Sequence, residues 1–225
     1  MPWERDVDVR LLAQSLSDRR VADGNHRSWR GTRDGAGYVA DWLQALIIEG
    51  RGYCAGIGLL SAGEALPIAV ITTLRPQLWI RVPTGTTIIP FYGALQIEDT
   101  GATGAFEALI GYDATDVGNG TSSAADFGPV QLRSGAARAS ACVARQEATA
   151  DVTADPDADL WRVWKAEDNA ATPATGGEAN YQWEPHPTCP VLVGPASLMM
   201  YIGSSAAPIV TAQFQWVEFE TSEIA

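Results

Sequence analysis

One stretch, Trp79 to Asp99 (WIRVPTGTTIIPFYGALQIED), constrains this chain more than any other. Leu78, Ile80 and Val82 alternate with polar or outward positions as far as Pro83, Pro-Thr-Gly makes a turn, and a second run begins at Thr86. Phe91, Gly93, Leu95 and Ile97 then recur with period two, against Tyr92, Ala94, Gln96 and Glu98. Alternation of this kind buries one face of a strand and leaves the other outside. Pro90 interrupts the run. A proline gives no N–H to a ladder, so it marks an edge, a bulge, or a bend where a strand passes from one sheet to another. The stretch therefore reads as strand, tight turn and long strand, a unit of a β-sandwich.

Further short strands are expected near 52–57, 67–74, 105–112, 129–133, 139–147, 159–165, 190–194, 197–203 and 208–219. Turn chemistry separates them, as in Gly118-Asn119-Gly120, Asp155-Pro156-Asp157 and Thr175-Gly176-Gly177. Many short strands without βαβ alternation point to a sandwich or barrel. Residues 38–48 (YVADWLQALII) fit a helix face through Val39, Trp42, Leu43, Leu46 and Ile47, and fit a strand through Trp42, Gln44 and Leu46; the strand is the reading adopted here. Residues 113–128 and 166–180 read as long polar loops, the kind that carry function or interfaces. In the last strand Val210, Ala212, Phe214, Trp216 and Glu218 share one side, and Gln213, Gln215, Val217 and Phe219 share the other. With bulk on both sides, one face meets the core and Trp216 and Phe219 are candidate subunit contacts.

Charge divides the chain. Residues 1–36 hold seven arginines and six acids, a balance of +1, whereas the rest holds eight cations and 21 acids, a balance of −13. The first segment reads as an N-terminal arm and 37–225 as the sandwich domain. Arg19, Arg20, Arg27 and Arg30 are the arm residues expected to dock on a neighbouring acidic subunit; the competing reading is a solvated, disordered tail. A net charge of −12 with a single lysine, Lys165, argues against nucleic-acid binding by the acidic body. The charged start MPWERDVDVR leads to the expectation of no secretory signal, and no apolar run reaches the length of a membrane span. Cys54, Cys142 and Cys189 are odd in number and widely spaced, which favours free thiols.

Sites of chemistry are sparse, and the chain is not expected to be an enzyme. His26 and His186 are the only histidines, and no Gly-x-Ser-x-Gly elbow is present. His186 and Cys189 stand three apart, whereas a cysteine protease draws its histidine from far along the chain. Asp155, Asp157 and Asp159 have the Asp-x-Asp-x-Asp spacing that begins a calcium loop, but Leu160 replaces the turn glycine and Ala166 the bidentate glutamate. They remain candidate Ca2+ ligands in a β-loop, with a solvated acidic turn as the plainer reading. Gly52, Gly56 and Gly58 lack the spacing of a phosphate loop. Trp161 and Trp164 lie three apart, so a strand would send them to opposite sides, and one could stack on a sugar ring.

Four segments, EGRGY (49–53), VPTGTTIIP (82–90), VLVGPASLMMYIG (191–203) and FQWVEF (214–219), resemble in pattern and order the single jelly-roll virion proteins of environmental tailless phages. The resemblance spans about residues 38–220. It implies an all-β, jelly-roll-like sandwich made in the host cytoplasm and assembled with itself, and with other virion proteins, into a shell; it carries over no catalytic residue. The alternative is a carbohydrate-binding β-sandwich, virion-displayed or secreted. A cupin-type enzyme is disfavoured because the clustered histidines of such metal sites are missing.

Overall fold

A computed structural model describes residues 42–59, 62–66, 71–72, 74–99, 104–118, 122–135, 138–148, 150–152, 155–167, 179–185, 188–204 and 209–223. A short helix, α1 (Trp42–Ile48), precedes thirteen strands: β1 (Gly52–Ile57), β2 (Glu64–Ala65), β3 (Leu78–Val82), β4 (Thr86–Asp99), β5 (Gly104–Asp113), β6 (Ser123–Ala124), β7 (Phe127–Gln131), β8 (Val143–Gln146), β9 (Ala158–Glu167), β10 (Ala179–Trp183), β11 (Leu192–Val193), β12 (Ala196–Ser204) and β13 (Ile209–Glu220). A 3-10 turn, Thr221–Glu223, follows β13.

The strands form two antiparallel sheets. Sheet one runs β10-β4-β13-β1-β7, with β11 also on β4 and β2 also on β13; sheet two runs β6-β8-β3-β12-β5-β9. Eight principal strands pair as one long hairpin: β1 with β13, β3 with β12, β4 with β10, and β5 with β9. First pairs with eighth, second with seventh, third with sixth and fourth with fifth. Rolling that hairpin sets β4 beside β13 and β5 beside β12, closing two four-stranded sheets. This is the jelly roll. The excursion between β5 and β9 supplies β7 to the β1 edge of sheet one and β8 to the β3 edge of sheet two.

Period-two alternation builds the core. Leu78, Ile80 and Val82 on β3, Leu95 and Ile97 on β4, Ala108 and Ile110 on β5, Leu198, Met200 and Ile202 on β12, and Val210, Phe214 and Trp216 on β13 all enter one apolar cluster between the sheets. Pro90 sits at a bulge. Trp216 pairs with Pro90 and Gln215 with Tyr92, so Phe91 has no opposite number on β13. On the other side of β4, β11 pairs with Thr87 and Ile88 and β10 with Gly93 to Ile97, so the proline falls in the gap between them. Its missing N–H therefore breaks no cross-strand pair on that side.

The two outer faces differ. Trp79, Leu109, Met199 and Tyr201 project from sheet two away from the main core, and Val117, Ala148, Val152 and Ile71 cover them in a second apolar cluster. The Arg81–Asp116 ion pair and the bond from Trp79 Nε1 to the Gly118 carbonyl (3.3 Å) pin part of this cover. Sheet one has a mixed outer face: around Gln96 and Gln213 it is polar, whereas toward the end of β13 Val217 and Phe219 are buried.

Three expectations are corrected. Residues 42–48 are helix, not strand. Gly50 adopts φ 77°, its N–H bonds Ile47 O (2.9 Å) and the Arg51 N–H bonds Leu46 O (3.0 Å). This is the double bond of a glycine-terminated helix, so Gly50 is a stop signal rather than a strand breaker. Residues 71, 72 and 74 of the expected 67–74 strand lie outside any strand, and β2 pairs at 64–65 instead. The expected loop 166–180 gives way at its end to β10, whose Tyr181 and Trp183 turn to the core while Asn180 and Gln182 turn out.

The alternation makes a paired prediction. Phe214→Ala should lower unfolding free energy by about 3–5 kcal/mol through loss of buried surface and the cavity left behind. Gln213→Ala, one residue away on the outer face, should change it by no more than about 0.5 kcal/mol. Urea unfolding followed by tryptophan fluorescence measures both.

Candidate functional site

Antiparallel register arranges the outer face of sheet one in rows, because residues directly opposite share a face. One row reads Asn180, Gln96, Thr211; the next reads Gln182, Ala94, Gln213, Gly56, Phe127. These two rows, with Tyr92 at one corner and Gly58 and Leu59 at the far end, line a groove of about 1030 Å3. Small residues at Ala94 and Gly58 lie in its floor, and Gly56 lies beneath the Phe127 ring. Gly56 is required there: a Cβ at that position would lie 2.5 Å from the Phe127 ring, which rests on this glycine. Asp126 fixes the end of the groove by accepting the Gly58 N–H (2.6 Å), and Gln146 holds Asp126 in turn by donating from Nε2 to Oδ1 (3.1 Å).

The lining mixes amides with apolar groups, among them Ile57, Leu59 and Ala212. Gln96, Asn180, Gln182 and Gln213 contribute four primary amides and Thr211 a hydroxyl, between the aromatic rings of Tyr92 and Phe127. No acidic or basic side chain lines the groove, although the whole chain carries −12. Among the described residues none of the four amide side chains is hydrogen-bonded to another side chain or to backbone. Each keeps donors and an acceptor for a ligand.

A second polar cluster lies at the other end of sheet one. Glu218, almost wholly buried, accepts hydrogen bonds from Ala141 N (3.0 Å), Trp216 Nε1 (3.0 Å) and the Ser140 hydroxyl. Arg51, also buried, makes a two-point pair with Glu223 (2.5 and 3.0 Å) and stands 5.7 Å from the centre of the Phe219 ring. The Glu218 bonds tie the 138–142 segment to β13, and the Arg51–Glu223 pair ties the last turn to the start of β1. Burial, and then the Glu218 carboxylate, push the Cys142 thiol far above its usual range, so it is no nucleophile.

The sequence candidates fare unevenly. Arg19, Arg20, Arg27 and Arg30 lie outside the described residues. Trp216 is fully buried and stacked on Tyr53 (6.3 Å between ring centres), and Phe219 is buried against Arg51. Both are corrected from subunit contacts to internal packing: Trp216 lies in the core between the sheets, and Phe219, on the other face of β13, packs under the Arg51 guanidinium. Asp155, Asp157 and Asp159 are exposed. Asp157 accepts the Ala114 N–H (2.8 Å) and Asp159 faces Arg162 (3.7 Å), and among the described residues no three acidic, histidine or cysteine side chains converge as metal ligands. Trp161 packs against the core and tilts on Tyr181, so it is no exposed platform; the Trp164 side chain and His186 lie outside the described residues. Burial raises the Cys189 thiol pKa. The groove was missed, although its signal was present: Ala94 and Gln96 on one strand and Gln213 on another occupy the polar phase of two long alternating runs.

No family model, curated protein or solved structure matches this chain.

Near the groove, Glu147 sits at φ 52° with its carboxyl against that of Glu64. Burial first, and then Glu64 and Asp126, raise its pKa to about 7. A raised carboxyl pKa in the folded state stabilises below the unfolded value near 4.5, and that stabilisation is lost as pH rises to about 7. Glu223 has the opposite sign: Arg51 lowers its pKa, so its contribution is present above about pH 4.5 and is lost as pH falls below it. Glu147→Gln should therefore flatten the decline in melting temperature between pH 4.5 and 7, and Glu223→Gln should flatten the decline on the acid side. Thermal melts across that range read both.

Proposed function

We propose that this chain is a self-assembling structural subunit of a virion shell, with the sandwich as the building block and residues 1–36 as an arm that docks on a neighbour. One side of sheet one carries the reading. Natural sheets blunt their edges with proline, charge or brevity. β7 carries Pro129 and β9 carries Asp159 and Arg162 within its pairing run, while β6 has two residues. The β10 side is different. β10 (ANYQW) has neither proline nor charge, and its only partner among the described strands is β4. Further along the same side of β4, Val191 and Val193 flank and belong to β11 with 53% and 52% exposure. An uncharged strand edge in line with exposed valines is a surface on which a second chain can add backbone pairing and bury apolar area. The charge contrast between the arm (+1) and the rest (−13) favours arm docking on an adjacent subunit. The jelly-roll order agrees with the resemblance to virion proteins; jelly rolls also serve lectins and cupins, so fold alone decides nothing.

Light scattering on the full chain should give a mass of many subunits, and removal of residues 1–36 should reduce it to small oligomers or monomers. Val193→Lys should lower the assembled mass while leaving the melting temperature of the dissociated subunit unchanged. A monomer under all salt conditions, with or without the arm, would count against the reading.

A further inference from the structure

We propose that the groove on the outer face of sheet one binds a neutral oligosaccharide chain. Such binding is independent of shell assembly and follows from what the lining offers and what it omits.

The lining offers amides in a grid. Gln182 and Gln213 flank Ala94 in one row, and Asn180 and Thr211 flank Gln96 in the next, on the adjacent strands β10, β4 and β13. Strands are spaced by about 4.8 Å, so neighbouring amides can reach successive hydroxyls of one ring or of adjoining rings. A primary amide donates and accepts at once, which matches a hydroxyl that does the same. Tyr92 and Phe127 supply ring faces at either end, suited to the apolar C–H face of a pyranose. Ala94 and Gly58 keep the floor low enough for a ring to lie flat.

The omission is charge. A site for phosphate, nucleic acid or a uronate would place cations here, and the lining has none. A cationic ligand would meet carboxylates, and Asp126, the carboxylate nearest the groove end, is spent on the Gly58 N–H and on Gln146. A peptide strand is poorly served as well, since the groove lies on the face of the sheet and the ladder groups beneath it are paired within sheet one. An uncharged, hydroxyl-rich chain is the ligand class that uses every feature. The contrast with sheet two supports this: there the outward row is apolar and covered by Val117, Ala148 and Val152, whereas here the amide rows lie open among the described residues.

Isothermal titration of the full chain with a panel of neutral linear hexasaccharides (β-glucan, mannan, galactan, xylan) tests the proposal, with a uronate and a sulfated hexasaccharide as charged controls. At least one neutral chain should bind, and the charged controls should not. Gln96→Ala and Gln213→Ala should each weaken that binding about tenfold, Tyr92→Ala should weaken it by at least as much, and Arg162→Ala on sheet two should leave it unchanged. Gln96 is exposed, so its variant keeps the test valid if Tyr92→Ala fails to fold. Binding by no neutral member of the panel, or binding that survives both glutamine variants, would overturn the proposal. So would a change in assembled mass caused by Gln96→Ala or Gln213→Ala without saccharide binding in the parent, which would assign the groove to a second copy of the chain. The charged-edge variant Val193→Lys should retain saccharide binding, so failure of shell assembly and failure of this site are separable.

Discussion

The pairing of β13 with β4 is the contact on which the rest of the structure depends. Twelve residues at the end of the chain lie against a strand more than a hundred positions earlier, from Ile209 opposite Asp99 to Glu220 opposite Thr86. β13 also carries β1 on its other side. Without it sheet one would split into a β10-β4 piece and a β1-β7 piece, and the inner faces of both sheets would be open. Such long-range pairing is entropically expensive and slow to form. The chain secures it with bulk: Val210, Phe214 and Trp216 fill the core, and Tyr53 stacks on Trp216 from the neighbouring strand. The bulge at Pro90 keeps both halves of this long pairing in phase, so that Leu95 and Ile88 both face inward.

The polar cluster at one end of β13 extends the same theme. Glu218 continues the inward row of Val210, Phe214 and Trp216, at a point where the sandwich opens toward the 138–142 segment. A buried carboxylate is costly unless its hydrogen bonds are made, and here backbone, hydroxyl and indole donors make them. The carboxylate thereby converts a loop into a lid over the end of the core. Arg51 and Glu223 form a second tie at this end of β13, with the guanidinium over the Phe219 ring. Removing one member of such a pair strands a buried charge, which is why these residues act as staples even though the pair itself adds modest net stability.

Much of this was legible from residue alternation. The runs at 78–82, 86–99, 104–113, 196–204 and 209–220 carry a clear two-residue period because one face of each meets a core. Where tertiary context decides, the pattern was silent. β10 is only five residues long and its first two residues, Ala179 and Asn180, read as loop, yet β4 offers it an edge and Tyr181 a place beside Phe106. Residues 42–48 satisfied two periods, and the deciding cue was Gly50, which ends a helix through its left-handed conformation. Trp216 and Phe219 looked alike as surface anchors because sequence does not show which face of the last strand meets the core, nor that Arg51 lies over the Phe219 ring on the other. The groove is the clearest case. Each amide was an ordinary polar position on its own strand, and only the register of three strands makes them one surface.

These features describe a sandwich with one covered outer face, one polar grooved face and one uncharged edge. The account assigns the edge and the arm to neighbours in a shell and the grooved face to solvent and saccharide. Electron cryomicroscopy of the purified full chain tests that division most directly. The expected result is closed particles in which subunits meet along the β10–β11 side and the groove faces solvent. Isolated sandwiches, or particles in which the outer face of sheet one is buried between subunits, would contradict it.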